Sequence, residues 1–231
     1  MTNKLDMGAP VVGVVAVDGA GFAEAMFEAQ AQVAIVVPLR SANDAERIAL
    51  TGVSRIVTPE AISGWVTPRP FPSGPADSPA AIVFSSGTTG TPKGVILTHG
   101  AIAAATDRLI AAMAMDGSIR EYIGVPLIYS FGLGRARAIA KVGGRYFVPT
   151  HGFDPSEIAA MLRKDEINAI SAVPTLWRVL LANKDVIGDA GAKVRWIEIG
   201  SQSMSADEKL AMKALFPNAR IVQHYGLTEA S

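Results

Sequence analysis

Short β-branched runs alternate with helix-period segments, and this alternation constrains the fold more than any other feature of the chain. Val11–Val17, Ala34–Val37 and Arg55–Val57 read as strands, with helices expected at Phe22–Gln30 and Ala42–Leu50. Strand-length apolar runs separated by amphipathic stretches favour parallel strands joined by crossover helices. The rhythm breaks over 59–79, where Pro59, Pro68, Pro70, Pro72 and Pro75 fall close together. Proline fixes φ and cannot donate to a ladder, so a loop is expected there, separating two α/β portions.

The pattern then resumes. Ala81–Phe84 and Gly94–Leu97 read as strands on either side of a polar loop, and helices are expected over Ala101–Met115 and 133–142. Tyr146–Val148, Ala169–Ala172, Val194–Ile199 and Arg220–Gln223 read as further strands. Asp154-Pro155-Ser156-Glu157 carries a capping aspartate, a first-turn proline and an acid near the positive helix end. Pro174 opens a helix carrying Trp177 and Leu180, and Ser205 with Glu208 has capping-box spacing. The fold class expected is α/β, with layered, mostly parallel sheets flanked by helices.

Composition excludes several functions. Lys+Arg and Asp+Glu are both 21, so there is no basic excess of the kind a nucleic-acid surface needs. Cysteine is absent, which removes disulfides, thiolate metal sites and a cysteine nucleophile. No apolar run approaches membrane length, and Val11–Val17 lacks the basic flank of a signal peptide. A cytoplasmic setting is expected. His99, His151 and His224 show no metal-ligand spacing, and His99 is expected to start a helix. Trp65, Trp177 and Trp196 are expected in the core or in pocket walls.

The segment Ile82-Val83-Phe84-Ser85-Ser86-Gly87-Thr88-Thr89-Gly90-Thr91-Pro92-Lys93-Gly94 carries the most chemistry. A buried strand runs into glycines that let backbone N–H groups surround an anion, hydroxyls that donate to phosphate oxygens, and one lysine. Lys93 precedes Gly94, so the order is not that of a Walker A loop. A G-x-S-x-G elbow is also missing. A flexible, solvated hairpin connection has the same composition.

The order Ser85-Ser86-Gly87-Thr88-Thr89-Gly90-Thr91-Pro92-Lys93-Gly94 resembles the signature loop of the adenylate-forming superfamily. That superfamily includes acyl- and aryl-CoA synthetases, luciferases and peptide-synthetase adenylation domains. About 130 residues later, Gln223-His224-Tyr225-Gly226-Leu227-Thr228-Glu229 resembles its second core motif. The likeness runs from about Phe22 to Ser231 and is closest in look to acyl- or aryl-CoA ligases.

The resemblance implies an ATP site formed by Ser85, Ser86, Gly87, Thr88, Thr89, Gly90, Lys93, Gln223, Tyr225, Gly226 and Thr228. Lys93 would assist pyrophosphate departure and Thr228 would donate to the α-phosphate. Glu229 would hold Mg²⁺, a hard cation suited to carboxylate and phosphate oxygens. Lys93, Thr228 and Glu229 are thus the catalytic candidates. Pro126–Leu133 resembles the substrate-pocket motif, which brings in Tyr129 and Gly132, and Gly200, Ser201 and Gln202 match a turn beside it. Many members carry histidine where Tyr129 stands. Tyr129 is expected either as a pocket gate or as a core aromatic at a helix entrance.

The activity implied is ATP-dependent activation of a small carboxylic acid, then thioester formation on CoA or a carrier-protein phosphopantetheine. The superfamily's ribose-binding aspartate, hinge and mobile C-terminal domain have no counterpart here, so a truncated N-terminal domain is expected, with a separate C-terminal chain as one possible partner. Two other readings stay open. One is a nucleotide- or acyl-binding module without turnover. The other is an amidase-type hydrolase using Ser85 or Ser86 with Lys93.

Overall fold

A computed structural model describes residues 8–85 and 93–226. The chain divides into two compact units. The first comprises residues 1–62, 69–107 and 226–231, and the second comprises 63–68 and 108–225.

In the first unit, β1 (Val11–Val15), β2 (Ile35–Leu39), β3 (Arg55–Val57), β5 (Pro79–Ser85) and β6 (Lys93–Thr98) form a sheet in the order β3-β1-β2-β5-β6. The unit also holds α1 (Ala20–Ala31) and α2 (Ala45–Thr51). β1 is parallel to β2 and β3, and β2 is parallel to β5. Parallel neighbours need crossover connections, and α1 and α2 supply them between β1, β2 and β3. The return from β5 to β6 is antiparallel. Val11, Ile35, Val37, Leu39 and Ile82 form a shared apolar cluster. Runs buried on both faces of a sheet read as continuous β-branched sequence, which accounts for Val11–Val15 and Ile35–Val37. α1 enters close to the loop after β3: a methyl on Gly21 would lie 1.9 Å from the Glu60 carbonyl oxygen, so only glycine fits.

α3 (His99–Met113) begins at His99 as expected and crosses the division between the units. The second unit holds β4 (Gly64–Val66), β7 (Arg120–Ile123), β8 (Arg145–Val148), β9 (Ala169–Ala172), β10 (Trp196–Ile199) and β11 (Arg220–Gln223). Its order is β11-β10-β9-β7-β8-β4, with all pairs parallel except β4 with β8. Its helices are α4 (Ser130–Val142), α5 (Pro155–Arg163), α6 (Pro174–Ala182), α7 (Lys184–Ile187) and α8 (Ala206–Leu215). Tyr122, Ile158, Leu162, Trp177, Leu180 and Phe216 belong to one large apolar cluster.

Capping chemistry reads through from sequence to structure. Ser156 N–H donates to Asp154 Oδ1 at 2.8 Å. Ser205 Oγ accepts from Glu208 N–H at 3.2 Å while Glu208 Oε2 accepts from Ser205 N–H at 2.7 Å, which completes the capping box.

Three expectations need correction. The 59–79 segment is not wholly loop: Gly64–Val66 pairs with Tyr146–Val148 as an antiparallel edge strand, and an edge tolerates flanking proline. Trp65, on that strand, is 37 % exposed and lies under the Arg145 guanidinium, 4.3 Å from its ring centre, rather than in the core. Trp177 and Trp196 are buried as expected. Finally, Tyr129 is not a core aromatic, because it is 63 % exposed at the start of α4.

Candidate active site

In the first unit, β5 and β6 flank the hydroxyl-rich segment 86–92 in the sequence. β5 and β6 are in register from Phe84↔Gly94 to Ser85↔Lys93, so Ser85 and Lys93 stand opposite each other as the last described pair of the two strands. Lys93 is exposed. Ile82 and Phe84 back the hairpin, and the Arg47 guanidinium sits 4.7 Å above the Phe84 ring. Ser86, Gly87, Thr88, Thr89 and Gly90 lie outside the described residues, as do Thr228 and Glu229.

The second unit gathers residues at the carboxyl ends of β10 and β11, where open α/β sheets bind their ligands. β10 ends at Ile199, and Gly200-Ser201-Gln202 turns away from it. Ser201 adopts φ 76°, a left-handed conformation that is uncommon outside glycine. His224 N–H donates to the Ile199 carbonyl at 3.1 Å, and Gln223 Nε2 donates to the Gln202 carbonyl at 2.7 Å. These bonds tie the second motif to the small-residue turn. Tyr225 follows and is 81 % exposed. Gly226 is the last residue described.

α4 closes one side of this cluster. Leu133 N–H donates to the Tyr129 carbonyl at 2.9 Å, which starts the helix. A Cβ on Gly132 would come 2.4 Å from the Pro126 carbonyl oxygen, so glycine allows the preceding loop to fold back on the helix. Phe131 packs edge-on against His224 with centroids 5.3 Å apart. It also covers Gly200, where a Cβ would lie 2.7 Å from its ring. The structure therefore brings Gly200, Gln202 and Gln223 together with Phe131 and His224, two residues that the sequence reading did not place in the site.

Behind them lies a buried charge cluster, also missed. Arg135 on α4 is fully buried. Its Nε donates to Glu121 Oε1 at 2.8 Å, its Nη2 donates to Glu121 Oε2, and its Nη1 lies 2.6 Å from Glu198 Oε2. His224 Nδ1 lies 2.5 Å from Glu198 Oε1. Burial works to lower the Arg135 pKa, but the two carboxylates outweigh it and hold the guanidinium above its ordinary value. The signal was present in the sequence as Glu121, Arg135 and Glu198 inside apolar runs, but only strand order shows that they meet.

Solved structures with this fold define the class. A nonribosomal peptide synthetase, FmoA3, superposes with a TM-score of 0.76 at 20 % identity over 96 % of this chain and 26 % of its own. A long-chain-fatty-acid-CoA ligase, FadD1 from Archaeoglobus fulgidus, gives 0.71 at 20 % identity over 96 % of this chain and 53 % of its own. The architecture is that of the N-terminal domains of adenylate-forming ligases. The AMP-binding enzyme family model matches residues 11–231, and the chain belongs to that family.

Among curated relatives, a feruloyl-CoA synthase of Amycolatopsis sp is 25 % identical over 155 residues. A 2-succinylbenzoate–CoA ligase of Arabidopsis thaliana is 33 % identical over 159 residues. Each alignment covers 67 % of this chain, and it spans 31 % of the first relative and 28 % of the second. Among the described residues, no helix is long and apolar enough to cross a membrane.

Proposed function

We propose that the chain carries the ATP- and acid-binding part of an enzyme that activates a carboxylic acid. The carboxylate attacks the α-phosphate, pyrophosphate leaves, and an acyl-adenylate forms. In the whole protein a thioester follows on CoA or on a carrier-protein phosphopantetheine. The observation that carries this reading is the register of Ser85 with Lys93, the two residues that bound the Ser/Thr/Gly-rich segment, in a chain of the AMP-binding family.

Lys93 is exposed at the base of the loop, where a mobile ammonium reaches the oxygens of a leaving group. The glycines allow the backbone between Ser85 and Lys93 to approach an anion closely. Tyr225 offers an uncovered aromatic face for a base, and Gln223 is already held beside the Gly200–Gln202 turn. Glu229 would hold Mg²⁺ and Thr228 would donate to the α-phosphate. The ion would neutralise charge on the phosphates when bound.

Tyr129, Phe131, Gly132, Gly200 and His224 would line the acid pocket. Tyr129 supplies a hydroxyl and an aromatic wall but cannot become cationic near neutral pH, so it would guide the acid by packing rather than by charge. Relatives named for feruloyl, 4-coumarate and 2-succinylbenzoate thioesters support aryl acids as the first substrates to try.

The test is carboxylate-dependent ATP–pyrophosphate exchange by the whole protein, beside calorimetric binding of Mg·ATP to this chain. Lys93→Ala is expected to lower exchange at least a hundredfold, since each electrostatic donor to the transition state supplies about two to three orders of magnitude. Exchange that survives Lys93→Ala and Glu229→Ala together would overturn the reading.

A further inference from the structure

Two arginines on α4 have opposite surroundings. Arg135 is matched by two carboxylates. Arg137 is only 6 % exposed, and its Nε has no hydrogen-bond partner. Among the described residues no carboxylate lies within ion-pair distance of it. Burial alone pulls its pKa down to about 10, so the side chain remains a cation at neutral pH. An uncompensated buried charge is costly to hold, while an apolar side chain of similar size carries no such penalty.

One turn earlier stands Gly134. Among the described residues, and leaving aside the helix's own backbone, a Cβ built there meets no atom within 4 Å, so there is room beside the helix at that point. Residues three apart share a helix face, and helical side chains lean over the turn N-terminal to them. Helix geometry thus puts Arg137 on the same face as the open space over Gly134, one turn away. α4 rises about 1.5 Å per residue, which puts Gly134 only about 4.5 Å along the axis from Phe131, the residue that packs on Gly200 and His224.

We propose that the hollow over Gly134 receives an anionic group, the second carboxylate of a dicarboxylic acid substrate, and that Arg137 is its partner. One carboxylate would react at the phosphate while the other is read two turns down α4. This rests on the acid-activation reading and adds a substrate class to it. A guanidinium pairs with a carboxylate through two parallel N–H donors, which suits a terminal carboxylate better than a hydroxyl or an amide.

The experiment is calorimetry on the 231-residue chain with Mg·ATP, then with two matched pairs: adipate against hexanoate, and terephthalate against 4-methylbenzoate. At least one diacid is expected to bind tenfold or more tightly than its partner. Arg137→Met should abolish that preference and leave Mg·ATP binding unchanged. It is expected to fold, because it replaces an unpaired buried charge with an apolar side chain of similar length. Gly134→Leu, which fills the hollow from a position with free space, should abolish diacid binding as well. Inorganic phosphate at the same concentration should not compete, and competition as strong as that of adipate would show a free-anion site and overturn the proposal. Mg·ATP binding without a diacid preference, or a preference that survives Arg137→Met, would overturn the inference alone. Failure of Mg·ATP to bind would overturn the acid-activation reading and the inference with it.

Discussion

His224 Nδ1 lies 2.5 Å from one oxygen of Glu198, and the other oxygen of that carboxylate lies 2.6 Å from Arg135 Nη1. A partly exposed residue of the second motif is thereby tied to a guanidinium in the core. Removing Arg135 leaves two buried carboxylates, Glu121 and Glu198, without their cation, and that costs about 3–5 kcal/mol. Arg135→Ala is expected to lower urea-unfolding stability by that amount. Replacing Glu121, Arg135 and Glu198 together with apolar residues of similar volume should cost less than Arg135→Ala alone. Equilibrium unfolding of the single and triple variants checks both statements.

Gly132 and Gly200 are each expected to resist a side chain, for different local reasons. A methyl at Gly132 would meet the Pro126 carbonyl oxygen at 2.4 Å, and one at Gly200 would meet the Phe131 ring at 2.7 Å. Overpacking of this kind costs about 1–3 kcal/mol. Gly132→Ala meets backbone, so it should show the larger loss of stability. Gly200→Ala meets a ring that can rotate, so it should chiefly change the contact with His224, visible as a shift in the imidazole NMR signals.

Asp44 gives a pH test. Its carboxylate accepts from Arg40 Nε at 3.1 Å, Arg40 Nη2 at 3.0 Å and Arg40 N–H at 3.0 Å, and the Arg40 bonds hold its pKa at about 2. The folded pKa lies below the unfolded value of about 3.9, so the contribution is complete above pH 4 and fades as pH falls toward 2. Arg40 is largely exposed, which reduces the contribution to about 1 kcal/mol. Asp44→Asn should lower the melting temperature at pH 7 but make little difference near pH 2.

Ser205→Ala should cost about 1 kcal/mol, the usual worth of a helix N-cap. Glu208 is shared between this cap and Arg178, whose Nε donates to Glu208 Oε1 at 2.5 Å. Glu208→Ala is therefore expected to cost more than Ser205→Ala, and a denaturant series on the two variants decides it.

Elements whose local chemistry agrees with their burial were legible from sequence. α5 and α8 carry their caps, and Ala169–Ala172 and Arg220–Gln223 were placed to the residue. β7 was missed because Arg120-Glu121-Tyr122-Ile123 does not look like a central strand. Glu121 is buried there only because Arg135, fourteen residues on, meets it. Asn168 also helps: its Oδ1 accepts from Arg120 N–H at 2.8 Å and its Nδ2 donates to the Ser118 carbonyl at 2.9 Å. β4 was missed because its flanking prolines speak for a loop, and only the strand it joins shows that it is an edge. In the candidate site, Gly200, Gln202 and Gln223 could be read from a linear pattern. Phe131, Glu198 and His224 could not, because their association depends on β10 lying next to β11 and on α4 packing against both Glu121 and Glu198.

The excursion of residues 63–68 has an architectural consequence. The chain leaves the first unit after Ile62, adds β4 to the edge of the second sheet, and rejoins the first unit at Arg69. No single cut can separate the two units with every strand kept in its own sheet. A nick within 63–68 would divide the first unit itself, leaving β1–β3 on one fragment and β5–β6 on the other, and reassembly would have to restore the parallel pairing of Val36 with Ala81. Any exchange of the second unit between related chains would likewise have to carry two separate pieces of sequence, 63–68 and 108–225.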